Sequence, residues 1–146
     1  MTERMSISTG SSWELVVGYS RAIRVGRHVE VAGTTSVRDG KPVGIGDAYA
    51  QTICALEIIK ESLERVEAKL SDVVRTRMFV TDISNWKEIG KAHAEFFRDI
   101  RPVVSVKSNW FLTHSRLNPS KSLAPQGFSR VHPHILPSST VKSDLP

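Results

Sequence analysis

The fold is decided by residues 47–82, DAYAQTICALEIIKESLERVEAKLSDVVRTRMFVTD, which predict a long amphipathic helix followed directly by a strand. Apolar residues in the first part recur at steps of three and four, so they share one helical face. They are Tyr49, Ile53, Leu56, Ile59, Leu63, Val66 and Leu70. Asp47 suits an N-cap, where its carboxylate accepts free amide hydrogens. Only Ser71 and Asp72 separate the helix from the strand at residues 73–80, so helix, turn and strand form one unit.

The residues before this unit predict antiparallel strands. Residues 5–8 suit a short edge strand, and residues 19–33 suit a hairpin with its turn at residues 26–27. Three polar residues of the hairpin are expected to point outward: Arg24, His28 and Glu30. Residues 34–46 are rich in glycine and contain a proline, so we expect a loop there.

The residues after the unit predict a second helix and one more strand. Ser84 suits the N-cap of the helix, and Pro102 ends it because a proline forces the preceding residue out of helical conformation. The expected apolar face comprises Trp86, Ile89, His93, Phe96, Phe97 and Ile100. A strand then begins at residues 103–106. The element order predicts an α+β two-layer sandwich, with two helices on one face of a mixed sheet.

The pattern changes after about Leu112. Residues 113–146 contain five of the seven prolines, and no helical or strand period persists there. We therefore predict a folded domain over residues 1–112 and an irregular or disordered tail over residues 113–146. Two alternatives stay open: the end of the chain is read out of frame in the gene, or residues 106–112 still pair and give a shortened sheet.

Composition narrows the classes of function. Of the net charge of +5, +4 lies in residues 107–146, so the folded part is nearly neutral and nucleic acid is an unfavoured partner. Cys54 is the only cysteine, which excludes a disulfide framework and a cysteine-based metal cluster in this sequence. The histidines of the tail do not form a ligand pair on any helix face, so no metal is expected. The sequence has no apolar run of membrane length and no signal peptide, so we expect a cytoplasmic location and no membrane partner.

Several segments within residues 16–106 resemble one protein family. They are Gly18-Tyr19-Ser20-Arg21-Ala22, Val31-Ala32-Gly33-Thr34-Thr35, Tyr49-Ala50-Gln51-Thr52 with Ala55-Leu56-Glu57, residues 72–82, Ala94-Glu95-Phe96-Phe97 and Arg101-Pro102. Together they resemble the YjgF/Rid (reactive-intermediate deaminase) family, formerly described as L-PSP endoribonucleases. The resemblance implies a chorismate-mutase-like α+β fold and a homotrimer with three ligand clefts between its subunits. It also implies hydrolysis of enamines and imines such as 2-aminoacrylate, with release of ammonia and without a metal or organic cofactor.

The resemblance also implies a guanidinium on the strand after the second helix, which would grip an anionic ligand by its carboxylate. In this chain that position is Val104, which carries no charge, and an asparagine position of the second helix falls at Gly90. An acidic closing strand has no counterpart in the sequence after Leu112. The candidate ligand-binding residues are Tyr19, Thr34, Val104, Ser105 and Arg101. Arg101 is a substitute cation, although in a regular strand it would face away from the side of Val104.

Other polar residues are assigned structural roles. Arg75 and Arg77 share a strand face with Phe79 and are interpreted as solvated or interface charges. His93 is interpreted as a core histidine, with a general base as the alternative, and Trp86 as a core residue.

Three functions are compatible with these residues. The first is a Rid-like protein that binds a small carboxylate or enamine between subunits, with weak or altered activity as a 2-iminobutanoate/2-iminopropanoate deaminase-like hydrolase. The second is a non-catalytic trimer of the same fold that binds a metabolite or serves in regulation. The third and least favoured is an endoribonuclease, because the nearly neutral folded part gives little attraction for RNA.

Overall fold

The computed structural model describes residues 3–108 and, as backbone, residues 130–135. Its elements are β1 (Arg4–Ile7), α1 (Ser12–Val17), β2 (Ala22–Val25), β3 (His28–Val31), β4 (Val37–Arg38), β5 (Lys41–Pro42), α2 (Ala48–Arg65), β6 (Arg75–Val80), α3 (Trp86–Phe97), β7 (Val103–Ser108) and β8 (Arg130–Ile135). Short 3-10 turns at Leu70–Asp72 and Ile83–Asn85 precede β6 and α3.

Six of the strands form one mixed sheet, in the order β1-β2-β3-β8-β6-β7. The pair β6–β7 is parallel and the other pairs are antiparallel. Strands β4 and β5 form a separate two-stranded hairpin inside the segment that was predicted to be a loop. The hairpin at residues 22–31 and the edge strand at residues 4–7 confirm the predictions for this end of the chain.

One hydrophobic core joins the helices to the sheet. Leu56, Ile59 and Leu63 of α2 have no exposed surface, and they belong to the same cluster as Ile89 and Phe97 of α3. The sheet contributes Ala22, Val29, Val31, Met78 and Val80 to this cluster. The two-layer α+β arrangement predicted from the sequence is therefore confirmed.

The long helix is shorter than its apolar pattern suggested. Asp47 is the N-cap, as predicted: its Oδ1 accepts the amide hydrogen of Ala50, with N and O 2.9 Å apart. The helix ends at Arg65, and Glu67 has a φ of 56°, so the chain turns before Leu70. Val66, the C-cap residue, is nevertheless fully buried and belongs to the hydrophobic core cluster. Tyr49, at the other end, is only partly buried and its hydroxyl hydrogen-bonds the Glu95 carboxylate.

Arg24 does not point outward as the hairpin pattern predicted. It pairs with Val29 across β2 and β3, and paired residues share a face, which here is the face covered by the helices. Its Nη1 donates to the carbonyl oxygens of Val66 and Glu67, each 2.9 Å away. Carbonyls after the last turn of a helix have no intrahelical donor, so the guanidinium satisfies them and carries the charge that suits a helix C-terminus.

A closing strand exists where the sequence suggested none. Residues 130–135 form β8, which lies between β3 and β6 and pairs antiparallel with both. The expectation of an irregular tail is wrong for these six residues. Strands β3 and β6 each present an edge whose backbone groups need hydrogen-bond partners, and backbone pairing does not require an alternating side-chain pattern. The remaining residues of the tail lie outside the described part of the chain, and the domain boundary at residue 112 stays a prediction.

Two ring side chains were assigned to the core from the sequence, and the structure buries only one of them. Trp86 is 59% exposed at the first residue of α3, so its assignment to the core is wrong. His93, in contrast, is buried, as predicted. Its Nε2 lies 3.0 Å from Thr76 Oγ1, and its ring centroid lies 4.6 Å from that of Phe97. This environment supports a core histidine, with its hydrogen bond supplied from inside the protein.

Removing the Arg24 side chain should destabilise the fold measurably. Arg24→Ala leaves the carbonyls of Val66 and Glu67 without their donor, and we expect a loss of about 1–3 kcal/mol in the free energy of unfolding. Urea denaturation monitored by circular dichroism measures it. Arg65→Ala is the control, since Arg65 is an exposed cation at the same helix end, and its loss should stay within about 0.5 kcal/mol. Equal losses in the two variants would contradict the capping role.

His93 should make the fold less stable in mild acid. Burial holds the pKa of His93 below its ordinary value, whereas the unfolded chain titrates near 6.5. Below about pH 6.5 the unfolded state therefore binds a proton that the folded state does not, and the free energy of unfolding falls as the pH drops. We expect His93→Gln to flatten this dependence between pH 7.5 and pH 5 in urea titrations. Thr76→Val keeps the imidazole buried and should retain the slope. An unchanged slope in His93→Gln would contradict this assignment.

Candidate functional site

A short helix that the sequence analysis did not predict positions the first candidate residue. Helix α1 ends at Gly18, whose φ of 75° suits glycine, and the amides of Gly18 and Tyr19 both donate to the Glu14 carbonyl, at 3.0 and 3.1 Å. This C-cap reverses the chain and delivers Tyr19 to the start of β2. The helix was missed because four of its six residues are apolar, so its sequence shows no helical period. In the structure all four are exposed: Trp13, Leu15, Val16 and Val17.

Glu14 anchors α1 to the loop before it. Its carboxylate accepts hydrogen bonds from the amide and hydroxyl of Thr9, at 3.0 and 2.7 Å, and from the Ser8 hydroxyl. Burial acts to raise the pKa of Glu14, but these hydrogen bonds and the positive charge of Arg21 outweigh it and hold the pKa below the ordinary value. The carboxylate is therefore ionised, and its lone pairs are used by its own loop.

Arg21 joins two of the predicted site residues into one cluster. Its Nη2 lies 3.5 Å from the Tyr19 hydroxyl, and its Nη1 lies 3.3 Å from both Thr34 Oγ1 and the Gly33 carbonyl oxygen. The guanidinium carbon lies 5.8 Å from the centroid of the Tyr19 ring, within the range of a cation–π contact. We call Tyr19, Arg21 and Thr34 the β2 cluster.

Thr34 is fixed inside this cluster. It is 2% exposed, and its hydroxyl donates to the Ala32 carbonyl at 2.9 Å. Since a hydroxyl has one hydrogen, that bond leaves only lone pairs of Thr34 Oγ1 facing Arg21, and the guanidinium is the donor between the two. The Nε of Arg21 is buried, and it has no hydrogen-bond acceptor among the described residues.

Sequence reasoning missed Arg21, although a signal for it was present. Arg21 lies in one of the segments that resemble the family, but the resemblance implies a cation at the position of Val104 and not there. Tyr19 and Arg21 are two residues apart, and Ala22 is buried at 1% exposure. In an extended segment, alternate residues share a face, so Tyr19 and Arg21 fall together on the face away from Ala22.

The other candidates lie at the opposite edge of the sheet. In β7, Val104 pairs with Thr76 and Ser105 with Arg77, so Val104 and Ser105 point to opposite faces of an edge strand. Strands β3, β8 and β6 lie between β2 and β7, a separation of roughly 19 Å at about 4.8 Å per strand. One subunit therefore does not bring Ser105 or Val104 to Tyr19 and Thr34.

Arg101 is held by the helix before it and does not join the β2 cluster. It has a φ of 53°, its amide donates to the Phe97 carbonyl, and its Nε donates to the Arg98 carbonyl at 3.2 Å. These contacts place it in the turn that ends α3, before β7 begins. Arg101 thus serves the helix end in this subunit, and its side chain is exposed.

The face of the sheet opposite the helices is polar and partly exposed. Arg75, Arg77 and Phe79 of β6 alternate with the buried Thr76, Met78 and Val80, as the sequence predicted. Phe79 is 38% exposed, and Arg77 is exposed beside Ser105. In the described chain no second layer covers this face, which fits the interpretation of Arg75 and Arg77 as solvated or interface charges.

Among the described residues, no group of three histidine, cysteine, aspartate or glutamate side chains is arranged to hold a metal ion. No helix in the described part of the chain has the length and apolar character needed to cross a membrane.

Comparisons with known proteins agree with the fold. A family model described as Endoribonuclease L-PSP matches residues 9–110. An uncharacterised protein of Streptomyces coelicolor is 34% identical over 100 residues, which cover 68% of this chain and 75% of that protein. A RutC family protein of Pyrococcus abyssi is also 34% identical, over 86 residues that cover 58% of this chain and 67% of that protein.

Solved structures extend the likeness to three dimensions. The crystal structure of a Mycobacterium tuberculosis member of the YjgF/YER057c/UK114 family is 40% identical, with a TM-score of 0.74 over 92% of this chain and 100% of that one. RidA from an Antarctic Psychrobacter is 18% identical, with a TM-score of 0.61 over 89% and 92% of the two chains, and shares the fold. The predicted YjgF-like α+β fold is confirmed, and the chain belongs to the YjgF/RidA family, also described as the L-PSP family.

Proposed function

We propose that this protein binds a small carboxylate or enamine in clefts between the subunits of a homotrimer, and hydrolyses enamines or imines with weak or altered Rid-type activity. The observation that carries the proposal is the β2 cluster, in which a phenol, a guanidinium and a buried hydroxyl converge at one end of the β2–β3 hairpin. A charged donor beside a hydroxyl suits an anionic ligand that also needs a positioned water or proton.

Assembly is proposed because the candidate residues form two groups. One group lies at the end of the β2–β3 hairpin, just before β2 and just after β3, and the other lies on β7, with β8 and β6 between β3 and β7 in the same sheet. A ring of identical subunits places one surface of each subunit against a different surface of the next. Contact of the β7 edge with the β2 side of a neighbour would unite Tyr19 and Thr34 with Ser105 and Val104 in one cleft. The uncovered polar face of the sheet would then lie inside the ring.

The reaction requires little of the protein beyond binding and proton movement. An enamine takes a proton at carbon and becomes an imine, water adds to the C=N carbon, and the resulting carbinolamine loses ammonia to leave a 2-oxo acid. The Tyr19 hydroxyl is suited to orient the water or pass a proton, and Tyr19 as a residue is only partly buried. No cofactor is needed, because each step is a proton transfer or an addition of water.

The second candidate is a non-catalytic trimer that binds the same class of ligand. The observation that favours it is Val104, an uncharged side chain where the family resemblance implies a cation. An endoribonuclease activity, which the description of the family model names, is the least favoured candidate. The excess positive charge lies in residues 107–146 and not in residues 1–106, so the folded part attracts an RNA backbone weakly.

A coupled activity and size measurement tests the proposal. We expect ammonia release from 2-aminoacrylate generated in situ, together with a light-scattering mass three times that of the chain. Tyr19→Phe should lower the rate at least about 10²-fold, the usual contribution of a positioned proton-transfer group, without changing the mass. Tyr49→Phe is the matched control, since the hydroxyl of Tyr49 contacts Glu95 on the helix surface and its removal should leave the rate unchanged.

The other outcomes decide between the candidates. A trimer that releases no ammonia but binds a 2-oxo acid would support the non-catalytic binding protein. Turnover that survives Tyr19→Phe would place the reaction away from the β2 cluster. A monomer with full activity would refute the intersubunit cleft.

A further inference from the structure

We propose that Arg21 binds the carboxylate of the ligand through its Nε–Nη2 edge, and so supplies from β2 the cation that β7 lacks at Val104. The inference depends on the proposed function, because it names the group that grips the ligand in that site. It concerns a residue that neither the sequence analysis nor the family resemblance assigned to binding.

The hydrogen bonds of Arg21 leave the Nε–Nη2 edge of the guanidinium without a strong acceptor among the described residues. Nη1 is engaged by the Gly33 carbonyl and Thr34 Oγ1, both at 3.3 Å. Within residues 3–108, Nη2 has only the Tyr19 hydroxyl as a partner, at 3.5 Å, and Nε has no acceptor. Nε–H and one Nη2–H of an arginine point in the same direction, so this edge matches the two oxygens of a carboxylate.

The positive charge of Arg21 is also not used in an ion pair. No carboxylate within residues 3–108 lies within 4.0 Å of its guanidinium, whereas Arg24 and Arg38 both meet glutamates at that range. The charge of Arg21 lowers the pKa of Glu14, but the Glu14 carboxylate already accepts three hydrogen bonds from Ser8 and Thr9. An incoming carboxylate would therefore not compete with an internal partner for Arg21.

The surroundings of Arg21 fix its plane before a ligand arrives. Thr34 is oriented by its bond to Ala32, Gly33 follows directly on the paired strand, and the Tyr19 ring lies beside the guanidinium. Preorganisation of this kind reduces the ordering that binding would otherwise require. Tyr19 and Thr34 are positioning residues for Arg21, and the Tyr19 hydroxyl would stand next to the bound carboxylate.

A purely structural role accounts for less of the geometry. Arg21 could serve only to hold the Gly33 carbonyl and the end of the hairpin, as Arg24 holds the end of α2. That role uses Nη1 and leaves the buried Nε–H without a partner, which costs free energy and calls for an explanation. A ligand oxygen at Nε satisfies this donor, and its neighbour at Nη2 gains a better acceptor than the distant Tyr19 hydroxyl.

The test uses 2-oxobutanoate as the probe, with butan-2-one as its neutral counterpart. Isothermal titration of the full chain should show binding of the acid and none of the ketone. Arg21→Gln should weaken the binding of 2-oxobutanoate about ten- to a hundred-fold, the range expected on loss of a charge-assisted pair of hydrogen bonds. Arg21→Lys keeps the charge but not the planar guanidinium, so its affinity for 2-oxobutanoate should lie between those of the wild type and Arg21→Gln. Arg65→Gln, an exposed arginine at the end of α2, is the matched control and should bind as the wild type does.

A spectroscopic measurement keeps the test independent of the folding of the variants. In arginine-labelled protein, the Nε–H resonance that disappears in Arg21→Lys belongs to Arg21. It should shift on addition of 2-oxobutanoate and stay in place with butan-2-one. Circular dichroism and light scattering of each variant show whether fold and assembly are retained.

The failures are distinguishable. If the wild type binds or turns over the acid substrates while Arg21→Gln binds 2-oxobutanoate equally well and the Nε–H resonance does not move, the assignment of Arg21 is overturned and the proposed function stands. If the wild type neither binds 2-oxobutanoate nor releases ammonia, the proposed function fails, and the assignment of Arg21 fails with it.

Discussion

The packing of α2 against the sheet is the interaction on which the rest of the molecule depends. Leu56, Ile59 and Leu63 are completely buried, and full burial of each such side chain contributes about 1.5–3 kcal/mol. These side chains share one cluster with residues of the β2–β3 hairpin and of β6, two parts of the sheet that are distant in sequence. The helix therefore holds the two halves of the sheet in one layer, and β8 completes the backbone pairing between them.

The β2 cluster takes its rigidity from that core. Ala22 and Val31 are buried where the hairpin meets α2, and the cluster residues lie just outside them: Tyr19 and Arg21 before Ala22, and Thr34 after Val31. The same strand carries Arg24 on its other face, where carbonyls at the end of α2 occupy the guanidinium. Two arginines three residues apart thus have different roles, because alternation along the strand directs one to the core and the other to the open side.

The predictions that succeeded concern periodic segments with local signals. The N-cap at Asp47, the apolar stripe of α2, the alternation of β6 and the hairpin at β2 and β3 each depend on residues close in sequence. The failures have the opposite character. Strand β8 contains Pro133 and no clear alternation, so it could be recognised only by the two strands that flank it. Trp86 looked like a core residue from its type alone, yet its side chain is exposed at the start of α3.

By itself, the sequence determined the fold class, the helix–turn–strand unit and the likeness to the YjgF/RidA family, because periodicity, capping and motif text are properties of consecutive residues. Tertiary structure alone decided which arginine side chains already have acceptors within the protein. It showed that Arg24 donates to carbonyls at a helix end and that Arg101 donates to a carbonyl at the end of α3. It also showed that Arg21 contacts Tyr19 and Thr34 while its buried Nε has no acceptor among the described residues. The reason is physical: a guanidinium is defined by the acceptors around it, and those come from parts of the chain that only folding brings together.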